Sequence, residues 1–166
     1  MGILSKIFGT GGFENDPIPR LQTILPVVAV QKIQLGKLPV LQVDKLILKN
    51  GELCHFVDVG AIITDRKHYQ SRRSGSSVRI AKGWTVHTGG TTSVPVTTAE
   101  VTQGIFYITN QRIVFVAKKH GFSQRLSFLT AVTPYSNGLD LQFGSKTYHI
   151  ILPDGGIAKI VIDFLT

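Results

Sequence analysis

At 166 residues the chain has the length of one domain plus an extension, and Val, Ile, Thr, Phe, Tyr and Trp supply 62 of them, a bias toward strands. Charged residues make up 17% but are lopsided, with 18 Lys and Arg against 10 Asp and Glu, so the net charge of +8 favours anionic partners. The only cysteine, Cys54, excludes an intrachain disulfide, and the longest apolar run, Ile24 to Val30, is broken by Pro26 and falls far short of the roughly 20 residues that cross a bilayer.

In chain order, Met1 to Phe8 carries one Lys and too short an apolar run for a signal peptide, so a reducing, cytoplasmic setting is expected. The hydroxyl of Ser5 stands one place too early for N-myristoylation of Gly2. Ile3, Leu4, Ile7 and Phe8 share one face of a two-turn helix, and the Gly and Pro residues up to Gly36 predict short, interrupted structure. Residues 1–50 are therefore read as an N-terminal extension and 51–166 as the domain. Leu38 to Leu48 is aliphatic, Asn50-Gly51 marks a turn, and a strand begins near Leu53.

Ser71 to Thr98 is rich in Ser, Gly and Thr; within it Val78, Ile80, Trp84 and Val86 keep a strand's period of two, broken at Lys82. Gly89-Gly90 is expected to turn the chain, and Thr91 to Thr98, with Pro95, to be a loop or an edge. Ile105 to Ile108 and Ile113 to Val116 flank Thr109-Asn110-Gln111-Arg112, a hairpin with a four-residue tip at which Asn tolerates left-handed backbone. Asn137-Gly138 and Gly144-Ser145 mark two more hairpins, giving about seven strands. Asp154 then caps an amphipathic helix whose Ile157, Ile160, Val161 and Phe164 fall at i, i+3, i+4 and i+7, with Ile160 and Phe164 expected to face the core.

The run Gly104-Ile105-Phe106-Tyr107-Ile108-Thr109-Asn110-Gln111-Arg112-Ile113-Val114-Phe115 resembles the G-x-L-Y-I-T-N-x-R-L-x-F hairpin of GRAM and bacterial pleckstrin-homology-like (PH-like) domains. The resemblance covers Leu53 to Leu165 and extends to a group of uncharacterised bacterial proteins with this core. It implies a mainly β fold, an open barrel of two nearly orthogonal antiparallel sheets capped by a C-terminal α-helix. In the phosphoinositide-binding members a loop between the first two strands carries a K-x(n)-R-x-R pattern. The matching region here supplies Lys67, Arg72, Arg73 and Arg79, but Arg72 and Arg73 are adjacent and Ala81 stands two places after Arg79, so the spaced pair is missing.

From Arg66 to Arg125 ten basic residues face Glu100 alone, a local +9 that accounts for the whole net charge. Arg66, Lys67, Arg72, Arg73, Arg79 and Lys82 are the candidate anion- or lipid-binding residues. Ser71 to Ser77 could wrap a phosphate with guanidinium forks and backbone N–H groups, or be a solvated loop. Nucleic acid would use the same charges with Tyr69, Trp84 or Tyr107 as stacking platforms, yet no nucleic-acid motif accompanies them. The five histidines show no metal-ligand spacing, and no nucleophile elbow or phosphate-binding glycine loop occurs, so no catalysis, metal, cofactor or small-molecule substrate is expected. Cys54 beside His55 points to an opposite strand face and reads as a buried thiol. The leading expectation is a binding module acting by protein–protein interaction or self-association. The runner-up is peripheral attachment to the anionic inner face of the membrane.

Overall fold

The computed structural model describes residues 20–166, and the helix expected over residues 3–8 lies outside them. The element order is α1 (Val27–Gln34), β1 (Cys54–Ala81), β2 (Trp84–Thr109), β3 (Arg112–Ala117), β4 (Phe122–Arg125), a 3-10 turn (Leu126–Phe128), β5 (Leu129–Tyr135), β6 (Gly138–Phe143), β7 (Lys146–Ile151) and α2 (Gly155–Leu165). The mainly β expectation with a closing helix stands. The strands join in one seven-stranded antiparallel ladder in the order β4-β3-β2-β1-β7-β6-β5, which does not close into a barrel between its edge strands β4 and β5. The cause lies in β1, which neighbours β2 on one side and on the other aligns Ala61, Ile62 and Ile63 with Ile151, Ile150 and His149 of β7. One strand thus joins two meanders into a continuous ladder.

The chain divides into two compact units, one comprising residues up to Thr64 with Val101–Thr166, the other Asp65–Glu100. In the first unit β2 and β3 are buried on both faces, which explains their uninterrupted apolar runs. Phe106, Ile108, Ile113 and Phe115 enter the main core, whereas Tyr107, Val114 and the flanking Ile105 join Leu46 and Cys54 in a smaller cluster. The main core also holds Ile62, Leu139, Leu141 and Ile150, so both ends of the sheet wrap it. Phe122 of β4 stacks on Tyr148 of β7 at 4.0 Å between ring centroids and lies 6.5 Å from Phe143 of β6. No helix among the described residues is long and apolar enough to cross a membrane.

Asp154 caps α2 as expected, its Oδ1 accepting from the N–H groups of Gly156 (2.8 Å) and Ile157 (3.1 Å). Glycine is required at 155 because a Cβ there would lie 1.9 Å from the Gly138 carbonyl oxygen. The buried face of the helix is corrected: Ile157, Ala158, Val161 and Ile162 are inside, whereas Ile160 is 36% and Phe164 49% exposed. Six of its residues from Ile157 to Phe164 are apolar, so a 3.6-residue period fits more than one stripe, and the Lys159–Asp163 ion pair marks the outer side. Helix α1, inside the segment read as irregular, buries Ala29 and Ile33 and ends with Gly36 at φ +76°, where Gly36 N–H donates to Ile33 and Lys37 N–H to Lys32. Asp58 of β1, itself buried, accepts from Thr23 Oγ1 (2.8 Å) and Ile24 N–H (2.9 Å) and so ties the segment before α1 to the sheet.

Candidate binding hairpin

The unit Asp65–Glu100 consists of the distal part of β1, a two-residue turn at Lys82-Gly83 and the first part of β2. Gly83 takes φ +91°, left-handed backbone that a side chain would resist. The period break expected at Lys82 is therefore the turn. Two other expectations are corrected: Ser71 to Ser77 is strand rather than loop, and Gly89-Gly90 does not turn the chain; Thr91 to Thr98, expected as a loop or an edge, runs inside β2 as an edge. β3 pairs with β2 over Gly104–Ile108, so among the described residues Pro95 lies on a stretch of β2 with a neighbour on one side, an edge position of the kind that tolerates proline. Small, flexible residues do not forbid a strand when the opposite strand supplies the hydrogen bonds, and Thr98 Oγ1 reaches the Arg66 carbonyl across the pair at 3.5 Å.

Of the sequence-predicted residues, Arg66, Lys67 and Arg79 are exposed on β1 and Lys82 is exposed at the turn. Arg72 and Arg73 lie on β1 between them; their side chains, like those of Trp84, Val78, Ile80 and Val86, lie outside what the structure describes. The hairpin as a unit holds six basic and two acidic side chains, a net +4. The remaining cations of the basic stretch belong to the first unit, at Arg112, Lys118, Lys119 and Arg125. The local +9 is thereby divided between two bodies, and one of its members, Arg112, is engaged internally.

That engagement explains the hairpin tip from which the family resemblance was read. Arg112 Nε donates to Glu52 Oε1 (2.8 Å), and its Nη2 donates to Oε2 (3.2 Å) and to the Ile47 carbonyl (2.9 Å). Thr109 Oγ1 donates to Glu52 Oε1 at 2.7 Å, and Lys49 N–H to Oε2 at 2.7 Å. Asn110 accepts from Leu53 N–H through Oδ1 (2.8 Å) and donates to the Gly51 carbonyl through Nδ2 (3.1 Å). Asn110 does not take positive φ; His120 is the non-glycine residue that does so among those described. The sequence reading missed Glu52, although a lone Glu three residues after Lys49 and beside a turn was a signal for a local carboxylate cap. Burial raises the pKa of Glu52, but the hydrogen bonds from Arg112, Lys49 and Thr109, with the Arg112 charge, outweigh it and hold the carboxyl at about 2 against an ordinary 4.5.

Cys54 is fully buried, donates to the Phe56 carbonyl (3.3 Å) and has its thiol pushed up to about 11, chiefly by burial. His55 is buried as well and donates from Nδ1 to the Pro39 carbonyl at 2.7 Å, so this pair does not assemble a nucleophile and base. His149 Nδ1 and Tyr135 Oη converge on Asp140 at 2.8 and 3.1 Å, a cross-strand network on β5, β6 and β7. Among the described residues no three His, Cys, Asp or Glu side chains come together to hold a metal ion. No family model, curated protein or solved structure matches the chain.

Proposed function

We propose that the chain is a non-catalytic binding module of the PH-like class, acting by protein–protein interaction along the strand edges of the Asp65–Glu100 hairpin. Support for the class comes from the strand order, in which β1 is shared by two meanders, and from the terminal helix packed into their common core. The observation that carries the function is the hairpin's hydrogen bonding. Beyond Ile63 the β7 partner of β1 ends, and before Gly104 the β3 partner of β2 has not begun, so among the described residues each hairpin strand has one neighbour. Unpaired N–H and C=O rows template strand addition, and a two-stranded ribbon is marginal in water until it gains a further strand. Self-association through the same edges is one form of this reading.

A photo-crosslinking side chain at exposed Gln70 or Thr92 is expected to form protein adducts in cells, and one at Ser127 in the first unit is not. Adducts confined to Ser127, or none, would refute the reading. The exposed Arg66, Lys67, Arg79 and Lys82 favour a second reading, adsorption to an anionic membrane, in which each charge contributes on the order of 1 kcal/mol and binding weakens steeply with salt. Co-sedimentation with vesicles of anionic and of neutral lipid distinguishes it.

A further inference from the structure

We infer that the docking edge is that of β1 over Asp65–Ala81, and that its partner is an acidic, extended protein segment added there as a further strand. This inference rests on the strand-edge reading above. The two edges of the hairpin differ. The distal part of β2 contains Pro95, a residue type that sheet edges use to discourage strand addition, whereas Asp65–Ala81 contains no proline and runs for roughly 55 Å at a strand's rise per residue.

Charge distinguishes them further. Five of the hairpin's six basic residues, Arg66, Lys67, Arg72, Arg73 and Arg79, lie on β1, the sixth is in the turn, and the distal part of β2 has none. Arg66 and Lys67 are both exposed and adjacent, so strand alternation sends them to opposite faces, and exposed Arg79 shares the parity of Lys67. Positive charge therefore flanks the β1 edge above and below the plane of the ladder. A strand laid beside it is matched when carboxylates occupy consecutive positions, because each face of the added strand then meets a cation directly or diagonally across. A second copy pairing through its own β1 edge would instead set five basic residues against five, and like charges opposed across a ladder are destabilising, while its β2 edge offers no basic residue but carries Pro95. The occupant is thus a heterologous acidic segment.

The test uses the full chain and a fluorescent peptide of about ten residues, a usual strand length, built from Glu, Asp, Thr and Val. Its controls are the same peptide with Gln and Asn for the acids, and the acidic peptide N-methylated along its backbone so that it cannot pair. The acidic peptide is expected to bind and to weaken with salt. It should slow hydrogen exchange of amides in Asp65–Ala81 while leaving Trp84–Glu100 unchanged. The triple variant R66Q/K67Q/R79Q is expected to weaken it about tenfold, since rim charges are individually small but act together. Equal binding of the Gln/Asn peptide would overturn the acidic partner and leave the strand-edge reading standing. Protection of the β2 segment instead would overturn the choice of edge. Concentration-dependent self-assembly that protects Asp65–Ala81 would overturn the heterologous partner in favour of a second copy. Undiminished binding of the N-methylated peptide, or adsorption to anionic vesicles with no peptide bound, would overturn both this inference and the reading beneath it.

Discussion

Replacing Glu52 with Gln removes a carboxylate on which the β2–β3 tip and the segment before β1 converge. The side chain of Glu52 is fully shielded and that of Arg112 is 15% exposed, so the pair sits where solvent screens it little. A folded-state carboxyl at about 2 against an ordinary 4.5 corresponds to about 3 kcal/mol of linked stability, at about 1.4 kcal/mol per pKa unit. The sign follows from the direction. A depressed carboxyl stabilises the fold fully above its ordinary pKa, and that stability is lost as the pH falls from about 4.5 toward 2. In E52Q this acid-sensitive part is absent, and the Arg112 guanidinium faces an amide. Urea unfolding near neutral pH is expected to find E52Q less stable by about 3 kcal/mol, with the difference from the wild type shrinking as the pH nears 2. If E52Q retains the wild type's loss of stability across that acid range, the Glu52 carboxylate is not its source and the reasoning fails.

Three further outcomes are expected. Ile162→Ala should cost about 2 to 5 kcal/mol, and the half-exposed Phe164→Ala well under that, by thermal or urea unfolding; equal losses would contradict the buried stripe of α2. Asn110→Ala, which gives up the exposed bonds to the Leu53 N–H and the Gly51 carbonyl, should cost about 0.5 to 1.5 kcal/mol by urea unfolding, and Asn110→Gly should be no better, since no left-handed backbone is needed at this position. Cys54, buried and with its thiol pushed up to about 11, should resist alkylation near pH 8 until denaturant is added; rapid labelling of the native chain would contradict its burial.

Turn chemistry made much of the fold readable. Asn137-Gly138 and Gly144-Ser145 stand at the β5–β6 and β6–β7 turns, and Asp154 is the cap of α2, because these residue types satisfy local backbone needs that no distant contact overrides. Misreadings arose where distant contacts decide. Val27, Val28 and Val30 are poor helix formers, and α1 exists because Ala29 and Ile33 have a core to enter. The Gly/Ser/Thr-rich stretch became strand because its opposite strand completes the hydrogen bonds. At the tip, Thr109, Asn110 and Arg112 were legible as a motif, but their role was not. Their partners Glu52, Leu53 and Ile47 lie about 60 positions earlier, and no local pattern announces such a pairing. The basic residues of the hairpin were visible as charge, and only the strand pairing gave them a common edge.

The pairing of Ala61–Ile63 with His149–Ile151 also bears on how the chain is made. At the roughly 5 to 20 residues per second of synthesis, β1 waits on the order of 4 to 18 seconds after emerging before its β7 partner exists. During that interval the hairpins β2–β3 and β3–β4, whose contacts are local, have time to form, since hairpins close in about 1 to 10 microseconds. Ile62 and Ile63, both buried in the finished sheet, meanwhile stand on an edge whose final neighbour has yet to be translated. The nascent chain therefore carries its greatest exposure to mispairing in β1, at the strand that later joins the two halves of the fold.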